Sequence, residues 1–289
     1  MAYDRAAETL GNIVHLEHVN TRVPDQRLAT LFYISGLGLT RDPYLMTGVD
    51  NMWANVGRSQ FHLPTGVPQR VRGVTGLVLP DRAALRARLG AVAGHLAGTA
   101  FAVHETAAYT EAVSPWGNRI RCHEPSPDFG AIQLGMPYVA FMVPQGAAAG
   151  IARFYRDIIG ALAQSGSDGE GAFARVRVGA DQALLFRESE QPPDPFDGHH
   201  IQIYINDFGT PYRHLGERGL ITEESDQHQY RFETLIDPET AKPLFTIEHE
   251  VRSLRHPLYA RDLVNRNPAQ TNLRYAPGRD ALPWSLPVA

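Results

Sequence analysis

The sequence repeats itself after about 120 residues, and this internal repeat limits the possible folds more than any other feature. Residues 29–39 (ATLFYISGLGL) match residues 151–162 (IARFYRDIIGAL), and the spacing of their apolar residues predicts an amphipathic helix in each. A β-type stretch precedes each helix, at 16–23 and 137–143. A Val-Gly turn and a further strand follow each helix. The two halves of the chain are therefore predicted to fold alike.

Each half contains the same repeat twice. Residues 71–79 lead to Asp81 and a helical run, and residues 198–205 lead to Asp207 and another helical run. The sequence thus predicts four repeats, each made of one strand, one helix and three strands, at about 13–66, 70–125, 136–188 and 197–252.

Residues 125–130 (PSPDFG) have the composition of a linker between the halves. We therefore expect a first pair of repeats in residues 1–128 and a second pair in residues 129–252. Residues 253–289 are rich in Pro, Arg and Asn without a clear period, which predicts an irregular C-terminal extension.

Composition excludes several classes of function. The formal net charge of −4 comes without a basic stripe, so we expect no nucleic-acid partner. The chain has a single cysteine, Cys122, which excludes an internal disulfide and a Cys-rich zinc site. No signal-peptide pattern is present at the start, and no stretch has the roughly 20 apolar residues of a membrane span. These features predict a soluble, cytoplasmic protein that has no contact with a membrane.

Three motifs point to a known family. His18-Val19 is followed by Asp25 seven positions after the histidine, the Phe32-Tyr33 helix closes on Leu-Gly-Leu, and a Pro-x-Gly-Asn turn at 115–118 precedes the last strand of a repeat. These motifs resemble the vicinal-oxygen-chelate superfamily, which includes glyoxalases, extradiol dioxygenases and bleomycin-resistance proteins. The resemblance implies an α+β fold in which four βαβββ units pair into two half-open mixed β-barrels with helices outside.

The same resemblance implies a metal site. In that family the metal ligands lie on the first and fourth strands of a unit, with the side chains in a cleft. Those positions in the first and fourth repeats are occupied by His18, His62, His200 and Glu248. In the second and third repeats they are occupied by Val74, Arg121, Tyr138 and Leu184. Because single-chain glyoxalases pair their units in this crossed way, we expect one divalent metal ion, of Fe, Zn, Ni, Co or Mn, on the first set.

Strand periodicity favours the same side chains independently. In residues 201–205 the isoleucines share one face, so His200, Gln202 and Tyr204 share the other, which is predicted to be the polar one. Glu248 lies opposite the apolar face of its strand by the same rule. Glu248 could instead form an ion pair with Arg252, because residues two apart on a strand share a face. For Glu250, a solvated side chain is favoured over a role in the site.

Catalytic and substrate-binding roles follow from these positions. We expect Glu248 to act as a base and Tyr204 as an acid or positioning group, because a proton-transfer mechanism needs both. Gln202 and Gln60 are predicted to bind substrate. Arg121 is either a remnant or an anion-binding group of the second cleft. The large side chain of Trp53 is predicted to lie in the core, and the alternative is that it lines a substrate pocket.

The expected function is a metal-dependent, glyoxalase-like lyase or isomerase that acts on a small substrate through two neighbouring oxygens. The alternatives are an Fe(II) extradiol ring-cleaving dioxygenase and a metal-free binding protein of the bleomycin-resistance type. The only expected partner is the small-molecule substrate, and the protein is expected to be a monomer or a homodimer.

Overall fold

A computed structural model of the chain describes residues 3–45 and 48–285, and it contains the four predicted repeats. Residues 1–2 and the last four residues of the predicted C-terminal extension lie outside the described residues. Each repeat has one strand, then a helix, then three strands, in the predicted order. The domain boundaries at residues 128 and 252 stay a prediction.

The first two repeats supply half of the strands. Repeat one contains β1 (Ile13–Asn20), α1 (Gln26–Ala29) continued by a π-helical segment (Thr30–Gly36), β2 (Thr40–Arg41), β3 (Asn51–Val56) and β4 (Ser59–Pro64). Repeat two contains β5 (Gly73–Val78), α2 (Arg82–Ala93), β6 (Ala102–Glu105), β7 (Thr110–Val113) and β8 (Arg119–His123).

The other two repeats follow the same plan. Repeat three contains β9 (Gly135–Pro144), α3 (Ala148–Phe154) continued by a π-helical segment (Tyr155–Ile159), β10 (Ala163–Asp168), β11 (Gly171–Gly179) and β12 (Gln182–Ser189). Repeat four contains β13 (His200–Ile205), α4 (Gly209–Gly216), β14 (Ile221–Asp226), β15 (Gln229–Ile236) and β16 (Pro243–Ser253).

An aspartate precedes the helix in three of the repeats and explains why the chain turns there. The carboxylates of Asp25, Asp81 and Asp207 each accept a hydrogen bond, of 2.8–3.1 Å, from the backbone N–H three residues later. Such caps satisfy backbone donors that the first helical turn leaves without a partner. Among the described residues, no helix combines the length and the apolar character that crossing a membrane requires.

Within the described residues, the sixteen strands form two eight-stranded mixed sheets. The first sheet has the order β14-β15-β16-β13-β1-β4-β3-β2, so its strands come from repeats four and one. The second has the order β10-β11-β12-β9-β5-β8-β7-β6, from repeats three and two. The sheets are half-open rather than closed, and the predicted fold class, with its crossed pairing of repeats, is confirmed.

The chain also divides into two compact units. Unit I comprises Met1–Glu17 and Tyr138–Ala260. Its core contains the stacked rings of Phe232 and His249, whose centroids are 4.3 Å apart, next to Tyr155. These rings are fully buried, so the third and fourth repeats share one aromatic core.

Unit II comprises His18–Pro137 and Arg261–Ala289. In its core, Tyr33 of the π-helical segment packs against Phe61 of β4, with ring centroids 5.1 Å apart. A Cβ atom at Gly36 would lie 3.2 Å from Leu89 of α2. The absence of a side chain at Gly36 therefore lets the first two helices of this unit approach closely.

Candidate functional site

Two of the expected ligands, His18 and His62, lie in unit II on strands β1 and β4. These strands pair in parallel, with His18 opposite Gln60 and Asn20 opposite His62. His18 is fully buried, and the two imidazole centroids are 5.7 Å apart. The register of the pair therefore holds two potential nitrogen ligands side by side.

Trp53 is a neighbour of His62 that the sequence pattern assigned to the core. Strands β3 and β4 form a hairpin, and its register places Trp53 opposite His62. The indole and imidazole rings are stacked, with centroids 3.7 Å apart and planes at 11°. Gly57 has a φ of 65° in the two-residue turn, as such hairpins require. This turn could have identified Trp53 as a neighbour of His62, because a turn of two residues determines which residues of the two strands lie opposite each other.

The amide nitrogen of Asn20 lies 2.7 Å from Nδ1 of His62 and donates to it in this orientation. Turning the amide by 180° would place its oxygen toward Nδ1–H, and the lone pair of Nε2 would then be available to a metal. Asn20 is therefore suited to fix the orientation of His62. No motif or spacing in the sequence singles out Asn20.

His200 begins strand β13 in unit I, and its neighbours come from the parallel strand β16. The register places His200 opposite Glu248 and Gln202 opposite Glu250. Nδ1 of His200 lies 3.1 Å from a carboxylate oxygen of Glu248, and Nε2 lies 3.6 Å from a carboxylate oxygen of Glu250. One imidazole is therefore flanked by two carboxylates.

Two arginines hold these carboxylates. Arg231 on β15 donates one hydrogen bond to Glu248 and one to Glu250, at 2.5 and 2.6 Å. Arg252 on β16 pairs with the other oxygen of Glu250 at 2.7 Å and with Glu17 at 3.1 Å. The ion-pair partner of Glu248 is thus Arg231, and the interpretation that paired Glu248 with Arg252 is wrong.

The interpretation of Glu250 as a solvated residue is also wrong, since this residue is only 3% exposed. Its two carboxylate oxygens contact two different guanidinium groups, on Arg231 and Arg252. A carboxylate can be buried at this depth because these charge-assisted bonds replace its hydration. Arg231 lies on the preceding strand, where the periodicity of β16 could not reveal it.

The ionisation of the expected acid and base follows from these contacts. Burial raises the pKa of Glu248, but hydrogen bonds with His200 and Arg231 outweigh burial, so the pKa lies below its ordinary value. Burial, together with the negative charge of Glu17, raises the pKa of Tyr204. Glu248 is therefore a carboxylate and Tyr204 a protonated phenol near neutral pH.

The other expected substrate-binding groups are partly engaged within unit II. The Nε2 atom of Gln60 donates to Asn55 at 2.5 Å and to Asp42 at 3.2 Å. Nε of Arg121 donates to Glu111 at 3.1 Å, and the Arg121 guanidinium lies 4.8 Å from the centroid of Tyr109. A substrate anion would have to compete with Glu111, and the anion-binding role of Arg121 stays a prediction.

Three imidazoles are available as metal ligands at the expected positions, those of His18 and His62 in unit II and that of His200 in unit I. The donor set suits a transition-metal ion, because imidazole nitrogen binds Fe, Co, Ni and Zn better than it binds Mg or Ca.

Comparison with solved structures identifies the fold. Glyoxalase I from Zea mays superposes with a TM-score of 0.58 at 13% identity, over 83% of this chain and 92% of the maize chain. A protein from Bacillus subtilis subsp. subtilis str. 168, named provisionally as a dioxygenase, superposes with a TM-score of 0.54 at 16% identity, over 84% and 86% of the two chains. This chain has the vicinal-oxygen-chelate fold. No protein-family model matches the sequence, and no curated protein matches it.

The vicinal-oxygen-chelate fold repeats its units, so equivalent positions can be read from strand register. In repeat one, Asn20 lies opposite His62. In repeat four, Gln202 lies opposite Glu250. Since His18 and His200 each lie seven residues before the aspartate that caps the next helix, Glu250 is the internal equivalent of His62. The spacing of residues along β16 did not reveal this, because Glu248 and Glu250 share a face.

Proposed function

We propose that this chain is a metal-dependent enzyme of the glyoxalase-like kind, a lyase or isomerase. It binds one divalent ion through His18, His62 and His200, together with a carboxylate from β16. Its substrate is a small molecule that chelates the ion through two neighbouring oxygens. The observations that support the proposal are the adjacent imidazoles of His18 and His62 in unit II and the imidazole of His200 between two carboxylates in unit I.

Two carboxylates are candidates for the fourth ligand. Glu248 is the choice from the sequence, and its oxygen lies 3.1 Å from Nδ1 of His200. Glu250 is the register equivalent of His62, and its oxygen lies 3.6 Å from Nε2 of His200. Substituting each by Gln and measuring Co²⁺ affinity separates them. Loss of the ligand is expected to lower the Co²⁺ affinity by more than about a hundredfold, whereas loss of a residue that only orients His200 is expected to lower it about ten- to a hundredfold.

A bound divalent ion would act as a Lewis acid toward the substrate oxygens on which negative charge develops. The residues of the chain supply the remaining chemistry. Glu248 accepts a proton from the substrate, since its contacts with His200 and Arg231 keep it ionised. Tyr204, which stays protonated, donates a hydrogen bond or a proton from the same strand face as His200.

Elemental analysis of the purified protein after Co²⁺ loading and gel filtration tests the proposal. The wild-type protein is expected to retain about one ion per chain, and His200→Ala is expected to lose it. His104→Ala is the matched control, because His104 lies exposed on β6. A metal-free wild-type protein, or unchanged metal content in His200→Ala, would contradict the proposal.

A second candidate function is ring cleavage by an Fe(II) extradiol dioxygenase. Glu248 and Glu250 both bind Arg231, which favours a site with three imidazole ligands only. Such a site leaves more open positions, which suits a two-oxygen substrate together with a second small molecule. Oxygen consumption by the Fe²⁺-loaded protein with a panel of catechols tests this function. No uptake above that of His200→Ala would exclude it for that panel.

A further inference from the structure

Gln202 has a buried side chain that the protein itself does not satisfy. The residue is fully buried on β13, two positions after His200 and on the same strand face. Neither its amide nitrogen nor its amide oxygen has a hydrogen-bond partner among the described residues. An amide without partners is costly to bury, and the few such groups in a folded protein call for a physical explanation.

The internal repeat provides a comparison for this residue. Asn20 occupies the equivalent place in repeat one, opposite His62, and its amide is bonded to that histidine. Gln202 lies opposite Glu250, whose oxygens are already taken by Arg231 and Arg252. The amide of Asn20 thus makes a hydrogen bond with another side chain, whereas the amide of Gln202 makes none with any residue that the structure describes.

The hydrogen-bonding groups of this amide limit what can bind it. A carboxylate only accepts hydrogen bonds, so it would satisfy the N–H donors of Gln202 and leave the amide oxygen buried without a donor. The amide itself offers both N–H donors and an acceptor oxygen. The matching ligand group is therefore neutral and carries both a donor and an acceptor.

We propose that Gln202 is a substrate-binding residue, and that its amide hydrogen-bonds a neutral hydroxyl or amide group next to the metal-chelating oxygens. This rests on the proposed metal-dependent function. This role of Gln202 narrows the substrate class to chelating molecules that carry a neutral hydroxyl or amide group. It disfavours chelating molecules that have a second carboxylate next to the Gln202 amide.

The test uses Gln202→Met, which keeps the length of the side chain and removes its polar atoms. Gln164→Met is the matched control, because Gln164 is exposed on β10. The probe is acetohydroxamate, which chelates through two neighbouring oxygens and carries an N–H group. Its binding to the Co²⁺-loaded proteins is followed by visible absorption, after Co²⁺ content and affinity have been measured separately.

Gln202→Met is expected to bind Co²⁺ as the wild type does and acetohydroxamate about tenfold more weakly, which corresponds to one lost hydrogen bond. Its melting temperature without metal is expected to rise, because an unsatisfied polar group has been removed from the interior. Gln164→Met is expected to change neither property.

Equal acetohydroxamate affinity in wild type and Gln202→Met would overturn the proposal. A lower melting temperature for Gln202→Met would also overturn it, since that result shows that the protein itself uses the amide. A wild-type protein that binds Co²⁺ but not acetohydroxamate contradicts the role of Gln202 alone. A wild-type protein that binds no Co²⁺ contradicts the proposed function, and this inference with it.

Discussion

Two buried tyrosines in unit I can be compared to measure one hydrogen bond, because only one of their hydroxyls has a partner among the described residues. The hydroxyl of Tyr155 donates to Nε2 of His249 at 2.6 Å, because Nδ1–H of that histidine donates to the carbonyl of Ile247 at 2.8 Å. The hydroxyl of Tyr230 is equally buried but has no hydrogen-bond partner among the described residues. Replacing each by Phe removes only the oxygen atom.

Tyr155→Phe leaves Nε2 of His249 buried without its donor, so the free energy of unfolding is expected to fall by about 1–3 kcal/mol. Tyr230→Phe removes an unsatisfied group and is expected to leave the free energy of unfolding unchanged, or to raise it slightly. The difference is large enough to measure, because about 1.4 kcal/mol corresponds to a tenfold change in the unfolding equilibrium.

Urea denaturation at pH 8, followed by far-ultraviolet circular dichroism, is the appropriate assay, because the three tryptophans lie in unit II. At that pH His249 is neutral, since burial lowers its pKa to about 4. Equal losses in the two variants would refute the reasoning, because they would show that the stability of both sites depends on ring packing and not on the hydrogen bond. A loss below about 0.5 kcal/mol in Tyr155→Phe would also refute it.

Three further predictions concern unit II. Burial raises the pKa of Asp42, but hydrogen bonds from Arg261 and from two backbone N–H groups together lower it by more, so the pKa lies below its ordinary value. The stability that this carboxylate contributes is therefore present above the pKa of Asp42 in the unfolded chain, and it is lost as the pH falls through the pKa in the folded chain. Urea titrations from pH 7 to pH 3 should show that the free energy of unfolding depends less on pH in Asp42→Asn than in the wild type. Burial raises the pKa of the Cys122 thiol to about 12, so a thiol reagent should label the native protein far more slowly than the urea-unfolded protein, and equal rates would contradict that burial. In Gly57→Ala the new Cβ would meet the carbonyl oxygen of Leu134 at a φ of 65°, so the melting temperature should fall by several degrees, and an unchanged value would argue against this turn.

Much of the fold could be predicted because it depends on local patterns. Asp25, Asp81 and Asp207 mark helix starts, and each makes the expected cap. The alternation in β13 placed His200 and Gln202 on one face, which depends only on strand geometry. Even the contact of Trp53 with His62 could have been predicted, since the two-residue turn determines the register of the two strands.

The arrangement around the carboxylates could not be predicted in the same way. Strands β15 and β16 pair with register shifts. Counting residues outward from the turn between them therefore does not predict that Arg231 lies opposite Glu250. Glu248 and Glu250 lie on the same strand face and carry the same charge, so the alternation of residues cannot show which of them is the metal ligand. Only the position of Arg231 and Arg252 shows that both oxygens of Glu250 are held within the protein.

The amino-acid sequence by itself determined the four repeats, their helix starts and the faces of their strands, because neighbouring residues and their periods decide these features. The tertiary structure alone decided the order of strands in each sheet and the partner of each buried polar group. These choices depend on residues distant in the chain, whose apolar patterns are too alike to specify which strand lies beside which. That is why the sequence identified Gln202 as a candidate but could not show that its amide has no hydrogen-bond partner within residues 3–45 and 48–285.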